Sequence, residues 1–561
     1  MIHGTARGES CFYRCLYQIS DKSYNLTGWS SITVNQSIAV NCDFPEVFCN
    51  STKEKVTWRY LHTQRLSPET LFGNKSKVRT IPNKVFQAED QFHPSVFMIV
   101  IDSTSASSGA RTLPKSIQVL NRRYEAQEFL FHNKVGLNSR PNAHGIFLGE
   151  RITNLPADPI YFPNNTHLSE VPNSCKVPLN SNHSILEKFT KEGYVTMAFE
   201  DDTSYSFLWP NCKGYSKLPT DHWSTPYVLH YRKLRADFSR FMFGPECQQL
   251  HSKIFDYCSQ FFKKYQGFAK FSYIWLDNAH NTPNALFYVD EELSQFLIKN
   301  YDYLRNSFVF MIGDHGLRFG GIRMTAAGAH EDKNPMFIVA CCFYMAVPES
   351  LRKNDQLMSN IRKNSRRHTS HFDLYATLND IVQVAKTYDF YDWRHHDFRP
   401  ELGEIRGGVR AMSLLRLIPY DRFGLLVSKN CMEMSIHYLY CICEEQWEKV
   451  KIDSKILKGA NAAVEFVHSH LAKQNVSELC QVLSVAKVTR ALKMTGSDRV
   501  KITFNTSPNN AEFESVLNID GNGELVATAL PNRLDAYGHQ GDCAIAEDTR
   551  PFCCCLKQTK T

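Results

Sequence analysis

A chain of 561 residues, 43% hydrophobic and 22% charged, has the composition of a folded protein with a full core and is long enough for roughly two to four domains. Its 64 basic and 57 acidic residues leave a formal charge of +7, a slight imbalance from which no nucleic-acid partner is expected; the basic cluster IRKNSRRH (361–368) could touch an anionic partner, but a solvated face is the plainer reading. The longest apolar run, MFIVACCFYMAV (336–347), falls short of the roughly 20 residues of a membrane helix and predicts a buried strand instead.

Residues 1–90 are rich in Thr, Val, Ser and Cys, and pieces such as SITVNQSIAVNC and KVTWRY predict a small β-rich N-terminal region. The opening MIHGTARGESCFYRC has no apolar core of the signal-peptide kind, so either an N-terminal segment is missing from this sequence or the protein is not exported. From Pro94 the pattern changes. SVFMIVIDS (95–103) is a continuous apolar strand ending in a carboxylate, and TLPKSIQVL after it predicts a helix. GYVTMAFEDD (193–202), FAKFSYIWLDNAH (268–280) and SFVFMIGDHG (307–316) repeat the pattern of an apolar strand ending in Asp or His, with helical spacing in DEELSQFLIKNYDYLRN (290–306). Apolar strands alternating with helices predict a parallel α/β sheet covered on both faces, here assigned to residues 91–420. Residues 421–561 are mixed and cysteine-rich, ending in RLDAYGHQGDCAIAEDTRPFCCC, and predict a smaller disulfide-bearing C-terminal subdomain.

Eighteen cysteines occur, several of them close together, but the paired C-x2-C knuckles of a zinc ribbon are absent. Disulfides in an oxidising compartment fit better. Eight N-x-S/T acceptors, at Asn25, Asn35, Asn50, Asn74, Asn164, Asn182, Asn475 and Asn505, agree with a secreted or lumenal protein carrying glycans.

In open α/β sheets the site lies at the carboxyl ends of the strands, and that rule gathers scattered residues into one candidate cluster. Asp102 follows VFMIVI, Asp277 and His280 follow FSYIWL, Asp314 and His315 follow FVFMIG, and His371 opens a further helix in HTSHFDLYATL. Carboxylates and imidazoles are the ligands of borderline divalent metals, and a pair of such ions about 4 Å apart can clamp both oxygens of a phosphoryl displacement. Ser103 and Thr104 beside Asp102 are rival nucleophiles, though capping the next helix is the plainer role. Arg318 and Arg323 are equally suited to an anionic substrate or to ion pairs with Glu331 and Asp332, and His132 and His144 read as structural or solvent-facing.

The segments IDSTS, GYVTMAFEDD, WLDNAHN, MIGDHGLRFGGIRMTAAGAHEDKNP, HFDLYATL and AYGHQGDC…FCCC together resemble the domain of unknown function 229 family, a nematode-rich group of the alkaline-phosphatase-like superfamily that also holds sulfatases and nucleotide pyrophosphatases. The resemblance covers about residues 90–555 and implies an alkaline-phosphatase-like fold, a mostly parallel sheet flanked by helices. It places VGLNSRPN in the nucleophile's position, with Ser139 as the attacking residue, 37 residues after Asp102 (139 − 102). It further implies that Asp102, Ser139, Asp314 and His315 form one metal site, and Asp277, His280 and His371 a second. Asn142 resembles the asparagine that helps hold the phosphoryl oxygen. One or two divalent ions are implied, zinc first, with calcium, magnesium or manganese as alternatives. Two positions depart from the superfamily pattern. Asn281 stands where many relatives carry an acid, which weakens the second site. Ala143 stands where the sulfatase C/S-x-P-x-R motif needs its arginine, which disfavours formylglycine chemistry. The expectation is therefore a metal-dependent hydrolase of phosphate esters acting on an anionic substrate. A catalytically weak binding ectodomain is the second reading, and a sulfatase-like hydrolase the third.

Overall fold

The computed structural model describes residues 9–556, apart from 33–37, 52–55, 65–92, 128, 156–168, 180–181, 203–204, 209–211, 239–241, 243–248, 337–343, 399–410, 420–430, 432–433, 443–446 and 545. The expected boundaries at 90/91 and 420/421 lie outside the described residues, as do Asn35, Asn74, Asn164 and most of the apolar run 336–347.

The chain begins with a small antiparallel sheet. Strand β1 (Glu9–Ser20) pairs with β2 (Ser23–Leu26), β3 (Ser30–Ile32) and β4 (Phe44–Ser51), and β4 pairs with β5 (Val56–Leu61). So small a sheet buries little apolar surface and gains from staples. Cys11 faces Cys49 across the β1–β4 register and is bonded to it, and Cys15 is bonded to Cys42. Leu16, Phe44 and Leu61 join the core of the larger sheet, with the Phe44 ring 5.4 Å from that of Tyr257. The same side carries a buried carboxylate. Glu46 accepts from Arg14, Arg59 and His230, so charge as well as packing seats this sheet.

The central sheet is built from β6 (Ser95–Ile101), β8 (Val195–Glu200), β9 (His222–Trp223), β10 (Lys270–Leu276), β11 (Ser307–Gly313) and β12 (Tyr344–Ala346), while β7 (Phe131–Asn133) pairs apart from it with β13 (His368–Ser370). The order is β12-β11-β6-β10-β8-β9, parallel throughout except for β12 at the edge. Every residue of β6, β8, β10 and β11 is buried, as a parallel sheet covered on both faces requires. Strand periodicity divides β6 between two cores: Val96, Met98 and Val100 point into one, Phe97, Ile99 and Ile101 into the other. The second core is roofed by helices α2 (Pro114–Tyr124), α4 (Leu250–Lys264) and α5 (Leu286–Lys299). Helix α1 (Ala106–Thr112) precedes α2, and Pro114 opens α2 where its missing N–H costs nothing. The first core is covered by α3 (Ser139–Phe147) and α6 (His371–Asn379) among others.

Beyond residue 446 a third core forms between α7 (Ser454–Lys473) and an antiparallel sheet of β14 (Trp447–Lys449), β15 (Ser484–Met494), β16 (Val500–Ser507), β17 (Glu512–Ile519) and β18 (Leu525–Ala527). Disulfides Cys480–Cys553 and Cys543–Cys555 tie its last segment down, and Cys175–Cys212 and Cys431–Cys441 complete six among the described residues. The α/β class, the β-rich start and the disulfide-bearing end are as the sequence predicts. Among the described residues no helix is long and apolar enough to cross a membrane.

Candidate active site

Sheet register assembles the site. Ile101 of β6 pairs with Gly313 of β11 on one side and with Leu276 of β10 on the other, so Asp102, Asp314 and Asp277 leave adjacent strand ends side by side. Trp275 pairs with Glu200, which adds Asp201 to the same edge. Gly313 is needed where it stands: a Cβ there would lie 2.1 Å from the Thr104 carbonyl oxygen, so no larger residue lets Asp314 approach Asp102 this closely.

Asp314 Oδ1 accepts from the backbone N–H groups of Ser103, at 2.9 Å, and His315, at 2.7 Å. Its Oδ2 is buried without a hydrogen bond. His315 Nδ1 lies 2.8 Å from the Gly316 carbonyl and must donate to it, which leaves the Nε2 lone pair facing inward. That lone pair is 3.3 Å from Asp314 Oδ2, 3.9 Å from Asp102 Oδ1 and 3.4 Å from Ser139 Oγ. Ser139 Oγ in turn donates to Asp102 Oδ2 at 3.0 Å. Asp102, Asp314 and His315 thus offer three ligand atoms within 4.8 Å of one another, and Asp102, Asp277 and His280 offer a second such set.

Two facing acceptors and an orphaned carboxylate oxygen are costly in a buried site unless a proton or a cation lies between them. The titration pattern agrees. Burial and the charges of Asp102 and Asp201 push Asp277 up to about 8, and burial with the Asp102 charge pushes Asp314 well above the carboxylate range. Burial, helped by the charges of Arg318 and Lys134 and opposed by that of Asp102, draws His315 well below the imidazole range. Asp102 differs: burial works against its charge, but the nearby His315 and His280 and the hydroxyls of Ser103 and Ser139 hold it below its ordinary value. A divalent cation suits this donor set, because it would satisfy the acceptor atoms that the protein leaves facing one another.

The serine loop is shaped by its own residues. A Cβ on Gly136 would come 2.4 Å from Pro141, so the chain folds flush against the first turn of α3, where proline's missing N–H is harmless. Ser139 is the first residue of α3, half-buried at its positive end. Asn142 departs from its expected role. Its Oδ1 accepts from the N–H groups of Val135 and Gly136, and its Nδ2 donates to the carbonyls of Gly136 and Asn138. Both amide hydrogens are spent, so Asn142 braces the loop and has no donor left for a phosphoryl oxygen.

His371 also departs. Its Nε2 donates to the Asp314 backbone carbonyl at 2.7 Å, and its Nδ1 lies 3.0 Å from His132 Nε2, whose other nitrogen meets Thr369 Oγ1. Both rings are fully engaged, and burial holds His371 at about 4 and His132 well below the imidazole range. His371 therefore supports Asp314 from behind and stands outside both ligand sets. Neither Ser103 nor Thr104 caps α1; Ser105 does, while the Ser103 hydroxyl donates to Asp102 Oδ1 at 2.8 Å. Arg323 takes the ion-pair role with Asp332, and His144 is buried. Arg318 is half-buried with its guanidinium 4.6 Å from the Phe319 ring centre.

Two groups at this edge escape the sequence reading. Asp201 accepts the Asp277 N–H at 2.8 Å, and burial raises it to about 7. Its signal was the acidic end of GYVTMAFEDD. Lys134 is fully buried, with Nζ 2.5 Å from Asp332 Oδ1, and burial lowers it to about 8 against the pull of that carboxylate. A lone lysine in FHNKVG carries no local signal.

A family model described as Protein of unknown function (DUF229) matches residues 2–489. No curated protein is matched. Among solved structures, the chain is similar to the C-terminal periplasmic domain of EcEptC from Escherichia coli, with 12% identity over 59% of this chain and 88% of that one and a TM-score of 0.35; that domain is also solved in complex with Zn. It is similar to a protein in the alkaline phosphatase superfamily from Vibrio parahaemolyticus (10% identity, 82% and 85% of the two chains, TM-score 0.34). It is also similar to the phosphonate monoester hydrolase SpPMH from Silicibacter pomeroyi (12%, 78% and 91%, TM-score 0.36).

Proposed function

The chain belongs to the DUF229 family, and we propose that it is a metal-dependent hydrolase of phosphate esters with Ser139 as its nucleophile. The observation that carries this reading is the convergence of Ser139 Oγ with Asp102 Oδ2 and His315 Nε2 beside the unpartnered Oδ2 of Asp314. Asp102, Ser139, Asp314 and His315 would hold one divalent cation, and Asp102, Asp277 and His280 a second. When bound, such a cation lowers the pKa of a ligating hydroxyl and offsets charge on the phosphoryl oxygens. Zinc suits the carboxylate and imidazole set best.

The residues of the chain do the rest. Asp102 Oδ2 fixes the Ser139 hydroxyl and is placed to take its proton as the Oγ–P bond forms and the bond from phosphorus to the leaving alcohol oxygen breaks. The departing alkoxide takes a proton from solvent; water then displaces Oγ from phosphorus and releases a proton to solvent, and Asp102 returns the serine's own proton. The first turn of α3 directs its free N–H groups and positive dipole end toward the charge that develops there. The His132–His371 pair holds the Asp314 backbone fixed during both steps. We read residues 91–420 as the catalytic core, with 1–90 and 421–561 as flanking regions. The disulfides support a secreted or lumenal location, where the N-x-S/T acceptors would carry glycans.

The test is elemental analysis of the purified protein together with hydrolysis of p-nitrophenyl phosphate and bis-p-nitrophenyl phosphate. Ser139→Ala is expected to lower kcat by at least about a thousandfold with bound metal largely retained. Full activity in that variant overturns the mechanism.

A further inference from the structure

The C-terminal subdomain reaches the serine loop by two routes. On one side Arg140, the residue after Ser139 and only 2% exposed, donates from one guanidinium nitrogen to Glu547 Oε2 at 2.7 Å and from the other to Ser174 Oγ at 3.0 Å. Glu547 lies within the segment closed by Cys543–Cys555 and tied to α7 and the sheet by Cys480–Cys553. On the other side Glu514 of β17 meets Arg323 at 3.4 Å, Arg323 meets Asp332 Oδ2 at 3.0 Å, and Asp332 Oδ1 holds Lys134, whose Nζ also faces the Leu137 carbonyl at 3.4 Å. Lys134 and Arg140 bracket the loop that presents Ser139. Each is anchored, directly or through one ion-paired relay, to a carboxylate of the subdomain. Both carboxylates lie beyond residue 489, where the family match ends.

We infer that the C-terminal subdomain is a working part of the active site, with Glu547 and Glu514 acting as positioning residues that clamp the Ser139 loop from its two ends. The catalytic half of this inference rests on the function proposed above; the clamp itself does not. A buried guanidinium with a single carboxylate partner has a strict geometry, so loss of that partner frees the first turn of α3 to shift. A displacement of about 1 Å at a nucleophile costs on the order of a hundredfold in rate.

The experiment compares wild type, Glu547→Gln, Glu514→Gln and the double variant by hydrogen exchange and by steady-state hydrolysis of bis-p-nitrophenyl phosphate. The inference expects faster exchange across residues 130–147 with the β11 peptide unchanged, and kcat lowered about 10- to 100-fold at a KM within about twofold of wild type. Wild-type exchange across 130–147 in the double variant overturns it. So does faster exchange there with kcat unchanged in an active protein. Faster exchange in the variants of a protein whose wild type hydrolyses neither phosphate ester upholds the clamp and removes the proposed function instead.

Discussion

At the scale of single residues the site is defined by groups whose hydrogen bonding is complete except in one direction. Asp314 is the clearest case: one oxygen takes two backbone N–H groups and the other takes none. Asp314→Asn is therefore expected to do two opposite things. It removes a buried acid that must take up a proton to fold beside Asp102, so the metal-free protein melts at a higher temperature, and it abolishes uptake of the first cation; calorimetry and metal titration read the two effects separately. The same logic gives a pH dependence for the metal-free protein. Asp277 sits at about 8 in the fold against an ordinary 3.8, so the folded state binds the extra proton, and stability falls as pH rises from about 4 toward 8. Added divalent cation should raise the melting temperature most at the upper end of that range. Asn142 is the structural counterpart. Asn142→Ala removes four hydrogen bonds from the loop, costs about 2 kcal/mol or more, and slows turnover through the Ser139 loop.

At the scale of elements, strands place the ligands and short contacts hold the strands. The sequence marked all three ligand-bearing strand ends, because a parallel strand buried on both faces must be apolar along its whole length and a polar residue at its end then stands out. It did not mark which histidine faces inward. His315 and His371 are both buried, but His371 spends its two nitrogens on His132 and the Asp314 carbonyl, a pairing between separate elements that no local pattern encodes. The N-terminal sheet offers a prediction of its own. Burial opposes the Glu46 charge, but His230, Arg14 and Arg59 hold it at about 2 against an ordinary 4.5. The resulting stabilisation is complete above 4.5 and is lost as pH falls toward 2, loosening β1–β5 from the core. Glu46→Gln should remove that acid-sensitive transition, read as exchange in β4 peptides across a pH series, at the cost of weaker docking at neutral pH.

At the scale of the whole molecule, one large parallel sheet carries two smaller regions that are stapled by disulfides and ion-paired to it. Closing loops of 12 to 73 residues by these bridges is worth about 3–4 kcal/mol each. Reduction is therefore expected to melt the two flanking sheets at a lower temperature than the central one, seen as an added early transition by calorimetry. By itself the sequence determined the α/β class, the strands and the identity of the strand-end acids, because periodicity and burial act on residues close together in the chain. It also singled out Ser139, through resemblance to a family. The tertiary structure alone decided that the Asn142 amide is spent on its own loop and His371 on the Asp314 carbonyl, that Asp201 meets the Asp277 N–H and Lys134 meets Asp332, and that Glu514 and Glu547 pair with Arg323 and Arg140 from far along the chain. The physical reason is that a side chain's hydrogen-bonding capacity is finite, and which partners exhaust it depends on groups brought near only when the sheets and helices have packed.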